Sequence, residues 1–147
     1  MTQSFDHITI IVTNNLFAFA NALNGIVFRN QGLFHCFTGI GNCYLSEITV
    51  AELYYGAENS DNPKKTMRQT EDFISLFRVI PFGKSLHTFG REMAYLKSIG
   101  RKIENFDMAI GATALQNKMV MVTDNTDHLG RIRGIEIENW KTDEPKM

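Results

Sequence analysis

Cysteine is scarce in this chain: two in 147 residues, Cys36 and Cys43. Their spacing, seven apart, matches no zinc motif. Two buried thiols in a reducing compartment are the expectation, with a disulfide or a metal pair as the alternatives. Long apolar runs are also missing. Nothing approaches the roughly 18 consecutive apolar residues of a membrane span. The first residues, Met1 to Asp6, are polar and lack the charged-then-apolar layout of a secretory signal, so the cytoplasm is the expected location. Neither sign of charge dominates: 15 Lys and Arg stand against 16 Asp and Glu, a net charge of −1. The surface as a whole does not attract nucleic acid, so any polyanion must be held by a local patch or by a metal ion. No internal repeat, low-complexity segment or Gly/Ser linker divides the chain.

Apolar residues make up 44% of the sequence, enough to build a core. One domain is expected over residues 1–140, with Lys141–Met147 as a polar tail. His7–Val12 is a short β-branched run that reads as a buried strand. Leu16–Leu23 reads as a helix stopped by Asn24-Gly25, and Gly32–Thr38 as a second short helix. Cys43–Leu45 is a brief strand, followed by a helix from Ile48 to Glu58. Turn chemistry at Asn59–Pro63 precedes a helix over Lys64–Leu76, with Met67, Phe73, Ile74 and Phe77 along one face. A strand lies within Phe77–Phe82. Leu86, Phe89, Met93 and Leu96 give helical spacing over Ser85–Ile99, with Gly100 as a stop. Phe106–Asn117 is a helix rich in small residues, in which Gly111, Ala112 and Ala114 allow close approach to the sheet. Met119–Val122 and Ile135–Ile137 are the last strands.

Strands and helices alternate, which argues for an α/β fold with a parallel sheet covered on both faces. Right-handed crossovers place the C-terminal ends of all the strands along one edge, where ligands bind in open sheets. Acids follow three of the strands or sit beside them. Glu47 and Glu52 come after Cys43–Leu45, Asp107 opens the small-residue helix after Glu104, and Asp124 and Asp127 follow Met119–Val122. Clustered carboxylates repel one another unless a cation sits among them. Mg²⁺ or Mn²⁺ is the natural counter-charge, being hard and oxygen-seeking. Such an ion activates water and stabilises a phosphoryl group under attack. Each acid also has a purely structural account. Thr49 with Glu52 fits a capping box. Asp107 suits a helix N-terminus, and Asp124 and Asp127 suit a turn. Glu47 and Glu104 read as solvated charges. Placement at one edge is what favours the functional account.

At this point the residues resemble the PIN-domain ribonucleases, and within them the VapC-type toxins of toxin–antitoxin pairs. The likeness runs from Ile8 to Trp140. One signature is Ser46 followed by Ile48-Thr49-Val50-Ala51-Glu52-Leu53-Tyr54-Tyr55-Gly56. Another is Phe106-Asp107-Met108-Ala109-Ile110-Gly111-Ala112-Thr113-Ala114. A looser one is Val122-Thr123-Asp124-Asn125-Thr126-Asp127-His128-Leu129, with Arg131-Ile132-Arg133-Gly134 after it. The resemblance implies a three-layer α/β/α PIN-like domain with a mainly parallel sheet of about five strands. It implies an endoribonuclease that needs Mg²⁺ or Mn²⁺, held by Glu52, Asp107, Asp124 and Asn125, with Asp127 as a further catalytic candidate and Thr13, Asn14 and Thr123 in support. It also implies a homodimer, an RNA substrate and a small protein antitoxin whose tail fills the acidic groove.

The first signature departs from the family. Where the family's first strand ends in Asp-Thr-Asn, this chain has Val12-Thr13-Asn14. A register slip would turn every side chain of that strand to the other face. One carboxylate about 4 Å from a metal is worth roughly 4 kcal/mol at an effective dielectric near 20, so its loss weakens metal binding. Three accounts of Val12 remain: a degenerate domain that still binds a partner, a weakened nuclease working through Glu52, Asp107 and one of Asp124 or Asp127, or a change acquired when the gene was cloned. A catalytically dead binding module and a structure-specific DNA nuclease are the rival functions, and the chain has little room for the helical additions of the latter. His7, His35, His87 and His128 show no ligand spacing and read as structural or solvated. Lys64, Lys65 and Arg68, and Arg91, Lys97, Arg101 and Lys102, read as solvated helix faces, or as cations that steer RNA. Trp140 reads as a packing anchor. The apolar residues of Leu33–Phe37 and Met67–Phe77 serve either the core or a dimer or antitoxin interface.

Overall fold

The computed structural model describes residues 9–11, 43–123 and 125–139. Val12, Thr13, Asn14, Cys36, Asp124, Trp140, the polar tail and the two helices expected over Leu16–Leu23 and Gly32–Thr38 lie outside the described residues, as does the Leu33–Phe37 surface.

Five strands form one sheet: β1 (Thr9–Ile11), β2 (Cys43–Ser46), β3 (Arg78–Ile80), β4 (Val120–Val122) and β5 (Glu136–Glu138), in the spatial order β3-β2-β1-β4-β5. Every pairing is parallel. The central strand sets the register, with Ile11 beside Leu45 on one side and beside Val122 on the other. The strand order reverses at β1. The crevice for a ligand in such a sheet opens there, outside the C-terminal ends of β1, β2 and β4.

The helices are α1 (Glu47–Glu58), α2 (Pro63–Ile74), α3 (Leu86–Ser98, entered through the 3-10 turn Gly83–Ser85), α4 (Asn105–Gln116) and the single turn α5 (Thr126–Leu129). α1 packs on α2, and α4 packs on α3, α1 and β4. Pro63 opens α2, where its missing N–H costs nothing, and the side chain of Asn62 accepts from the Lys65 amide. α4 is buried along Asp107–Ala114, which explains its small and apolar composition: a helix enclosed on all sides has no polar face. The core joins Met108, Ile110 and Ala114 of α4 to Leu96, Ile103, Met119, Met121, Leu129 and Ile132. Among the described residues, no helix is long and apolar enough to cross a membrane.

Several expectations need correction. Leu86 does not share the buried stripe of α3. It is exposed, and the buried positions there are Thr88, Glu92 and Leu96. Glu92 is tolerated inside because the Arg133 guanidinium donates to both of its oxygens at 3.0 and 3.2 Å and lies 3.8 Å over the Tyr95 ring. Arg91, read as solvated, also donates to Glu92 at 3.2 Å. On α2 the buried residues are Thr70 and Phe73, while Met67, Ile74 and Phe77 are half-buried. Gly111 does serve a close approach, but towards the segment that leads into β5. A Cβ there would collide with the Ile132 side chain and touch Ile135 and Leu129.

Candidate metal-dependent active site

The site begins where β2 ends. Ser46 is buried at the C-terminal end of that strand, and its hydroxyl accepts from the Ile48 amide at 3.1 Å, so it is the N-cap of α1. This overturns the capping-box account of Thr49 and Glu52. Thr49 sits inside the helix, and its buried hydroxyl has no partner. Glu52 is then free of any capping duty. Its carboxylate is half-buried, and Oε2 is shielded from solvent with no hydrogen-bond partner among the described residues. Such an orphaned acceptor is costly in a folded protein and calls for an explanation.

Asp107 comes from the first turn of α4 and is 8% exposed. The Asn125 amide donates to its Oδ2 at 3.3 Å. Asn125 is itself held, since its backbone N–H donates to the hydroxyl of buried Thr123 at 3.0 Å, just past the end of β4. His128, on α5, brings its Nδ1 to 3.5 Å from the same Asn125 amide nitrogen. Asp107, Asn125 and His128 thus stand in a row leading out from the acid pair.

The electrostatics tie Glu52 to Asp107. Burial pushes the Glu52 carboxyl above its ordinary range, and the charge of Asp107 pushes it further. Burial also raises Asp107; His128 opposes that rise, Glu104 adds to it, and the Asn125 hydrogen bond opposes it. Two carboxyls that each resist ionising are held together at the crevice beside β1. Carboxyls pushed up by burial and by each other in a crevice mark a candidate functional site.

Glu104 lies near enough to act on Asp107; the other described acids singled out in the sequence are not tied to the pair. Glu47, read as a solvated charge, accepts from the Phe82 amide at 2.9 Å and fastens the start of α1 to the turn after β3. Asp127 is exposed in α5, and no hydrogen bond or ion pair connects it to Glu52 or Asp107. Asp124 lies outside the described residues. Among the described residues, no three His, Cys, Asp or Glu side chains already surround one point as a metal cage. The described residues bring two carboxylates near each other, and the Asn125 amide links Asp107 to the His128 imidazole. His128, read from the sequence as structural or solvated, is exposed on α5 and touches Asn125.

Known proteins share the sequence and the fold that carry this site. A family model described as PIN domain matches residues 20–135, a span that begins after Val12. "Ribonuclease VapC2" of Haemophilus influenzae is 36% identical over 101 residues, covering 68% of this chain and 76% of that protein. The "tRNA(fMet)-specific endonuclease VapC" of Shigella flexneri is 33% identical over 101 residues, again 68% and 76%. Among solved structures, the DNA-bound VapBC of Salmonella typhimurium matches with a TM-score of 0.79 at 28% identity, covering 90% of this chain and 98% of that one. The promoter-bound VapBC2 of Rickettsia felis matches with a TM-score of 0.76 at 26% identity.

Proposed function

The chain belongs to the PIN-domain family, and from that premise we propose that it is a VapC-type endoribonuclease of a toxin–antitoxin pair, built to use Mg²⁺ or Mn²⁺ and weakened by Val12. The observation that carries this reading is the buried, unpartnered Oε2 of Glu52 beside the Asp107 carboxyl. Hard oxygen donors with raised pKa values suit a divalent cation, which relieves both the desolvation and the mutual repulsion. When bound, the ion supplies an activated water and charge stabilisation at the phosphoryl group.

The chain's own residues do the holding. Glu52 and Asp107 would hold the ion, Glu52 from the second turn of α1, which Ser46 caps, and Asp107 from the first turn of α4, which the core encloses. Thr123 fixes Asn125, and Asn125 orients Asp107. Asp124 and Asp127 remain candidates for a further acid from the loop after β4. Thr13 and Asn14 support the first strand's end in the same reading. The likeness to VapBC complexes favours a small protein antitoxin as partner, and the likeness to a tRNA endonuclease favours RNA as substrate; a homodimer and the cytoplasm as the place of action complete the same proposal.

The test is cleavage of a mixed RNA pool with Mn²⁺ by three proteins: this chain, Val12→Asp, and Val12→Asp with Asp107→Asn. One restored carboxylate near the ion is worth a few kcal/mol, so Val12→Asp should cut at least 100-fold faster than the chain as it stands. The double variant should be inactive. The rival reading is a binding module that keeps its partners without turnover, and Val12 is the specific feature that favours it. That reading moves ahead if Val12→Asp binds metal, stays folded and still leaves the pool intact.

A further inference from the structure

The charges of the whole chain nearly balance, yet three cations stand together on α2. Residues 62–70 include Lys64, Lys65 and Arg68 and no acid. All three are exposed, and with Asn62 and Gln69 they line an open hollow of about 390 Å³. That volume falls at the low end of ligand sites, but the five lining residues are all polar, which suits an anionic group lying across a surface. No ion pair joins these cations to an acid among the described residues. Other cations are already engaged: Arg91 and Arg133 serve Glu92, and Arg131 donates to the Lys102 carbonyl. We propose that Lys64, Lys65 and Arg68 hold backbone phosphates of a single-stranded RNA and lead that strand towards Glu52 and Asp107. The inference deepens the ribonuclease reading above and rests on it for the RNA.

Position and charge both favour this path. An acid pair repels a polyanion, so a strand that approaches it needs cations set back from the carboxylates. α2 packs on α1, and the short connection of residues 59–62 joins them. At 1.5 Å per residue, Glu52 lies about 10 Å along α1 from that connection, where the hollow begins. A strand that rises about 3.4 Å per phosphate covers that distance in about three nucleotides. Tyr55 follows Glu52 by one helical turn, so it shares that face of α1, and it is exposed. Its ring offers a surface on which an unpaired base can stack, which suits a single strand. Glu58, Asp61, Glu71 and Asp72 are near in sequence but do not line the hollow. The start of α2 itself adds little, because the Asn62 side chain already accepts from the Lys65 amide. Contacts to phosphate position a strand without reading its sequence, so the hollow should serve unrelated RNAs alike.

The experiment is fluorescence anisotropy of two unrelated, fluorescein-labelled single-stranded RNAs of about 20 nucleotides with the purified full chain, in chelator, at about 50 to 200 mM KCl. Each phosphate contact to a single strand adds about −0.7 to the slope of log affinity against log salt, so three contacts contribute roughly −2. Replacing Lys64, Lys65 and Arg68 together by Gln should remove that share of the slope and weaken binding of both RNAs at least about tenfold at the lowest salt. Arg68→Lys keeps the charge and should stay within about threefold of the parent. Replacing Lys97, Arg101 and Lys102 of the α3 end by Gln removes the same net charge and should also cost less than about threefold. The three α2 side chains are exposed and Gln suits a helix, so circular dichroism should match the parent. Equal losses from the two triple variants would mean that net charge alone acts, and would overturn the hollow as a site. So would a parent that binds neither RNA, or RNA binding that the α2 variant leaves unchanged. Displacement of the RNA by an equal concentration of polyglutamate would also overturn it, and would mark an acidic protein segment as the occupant. None of these outcomes decides whether the chain cuts RNA, which the Val12→Asp comparison reads separately.

Discussion

At the scale of single residues, the acid pair makes a claim about stability as well as about chemistry. Glu52 and Asp107 have ordinary values of 4.5 and 3.8, and both are raised in the folded chain. A raised carboxyl binds its proton more tightly folded than unfolded. Its stabilising contribution is complete below the unfolded value and is lost as pH rises through the folded one. The metal-free protein therefore gives up stability at neutral pH in order to keep these two charges together. Removing one of them should help: Glu52→Gln should raise the melting temperature by about 2–4 °C at pH 8 in chelator, corresponding to about 1 kcal/mol. The gain should shrink as pH falls towards 4.5. Calorimetric scans of both proteins across that range check it, and a constant or negative difference would mean that Glu52 is held by a partner after all. Glu92 behaves oppositely. Burial alone would raise it, but hydrogen bonds from Arg133 and Arg91 and the charge of Arg133 bring it below its ordinary value. Its contribution is present at neutral pH and is lost on acidification.

At the scale of elements, helix ends show what could and could not be read from the sequence. α3 ends in a Schellman motif, with Arg101 N–H to Leu96 O at 2.9 Å, Gly100 N–H to Lys97 O at 3.1 Å, and Gly100 at φ 67°. That stop was legible because glycine announces it. α4 ends the same way, with Met119 N–H to Ala114 O at 2.9 Å and Lys118 N–H to Leu115 O at 3.2 Å, but the left-handed residue is Lys118 at φ 54°. Lysine carries no such signal. It carries a steric cost of about 1 kcal/mol there, so Lys118→Gly should stabilise the protein by about 0.5–1 kcal/mol in urea unfolding at unchanged m-value. The start of α1 was expected at Ile48, one residue from its observed start at Glu47, but the sequence left its cap open. Thr49 and Glu52 fit a capping pattern in one frame and Ser46 caps in another, and the burial of Ser46 decides between them. The sheet, α1 to α4 and the acid pair were legible because period and motif mark them. α5 was not, since four residues are too few for a period. The Glu92–Arg133 clamp joins residues 41 apart, a distance no local pattern spans.

For the whole molecule, the metal site proposed at the crevice beside β1 would couple metal binding to folding. α1 brings Glu52 from β2, α4 brings Asp107 ahead of β4, and the loop after β4 brings Asn125 and His128. An ion shared by these elements bridges parts of the chain that are separated in sequence, and the unfolded chain has no equivalent site. Binding to the folded form alone adds about 2.7 kcal/mol at a ligand concentration one hundred times Kd. For a domain of this size that corresponds to a melting temperature higher by roughly 5–10 °C. Restoring the family's carboxylate should strengthen the coupling without altering the fold. Val12→Asp should therefore melt lower than the parent chain in chelator, because a third acid joins a pair already resisting ionisation. In Mn²⁺ it should melt higher than the parent. That crossing is the diagnostic outcome, read by differential scanning fluorimetry with and without millimolar Mn²⁺. A variant that melts lower in both conditions would show that the site accepts a third carboxylate without gathering a cation, and the crevice would then be a remnant of the family's chemistry put to use in holding a partner.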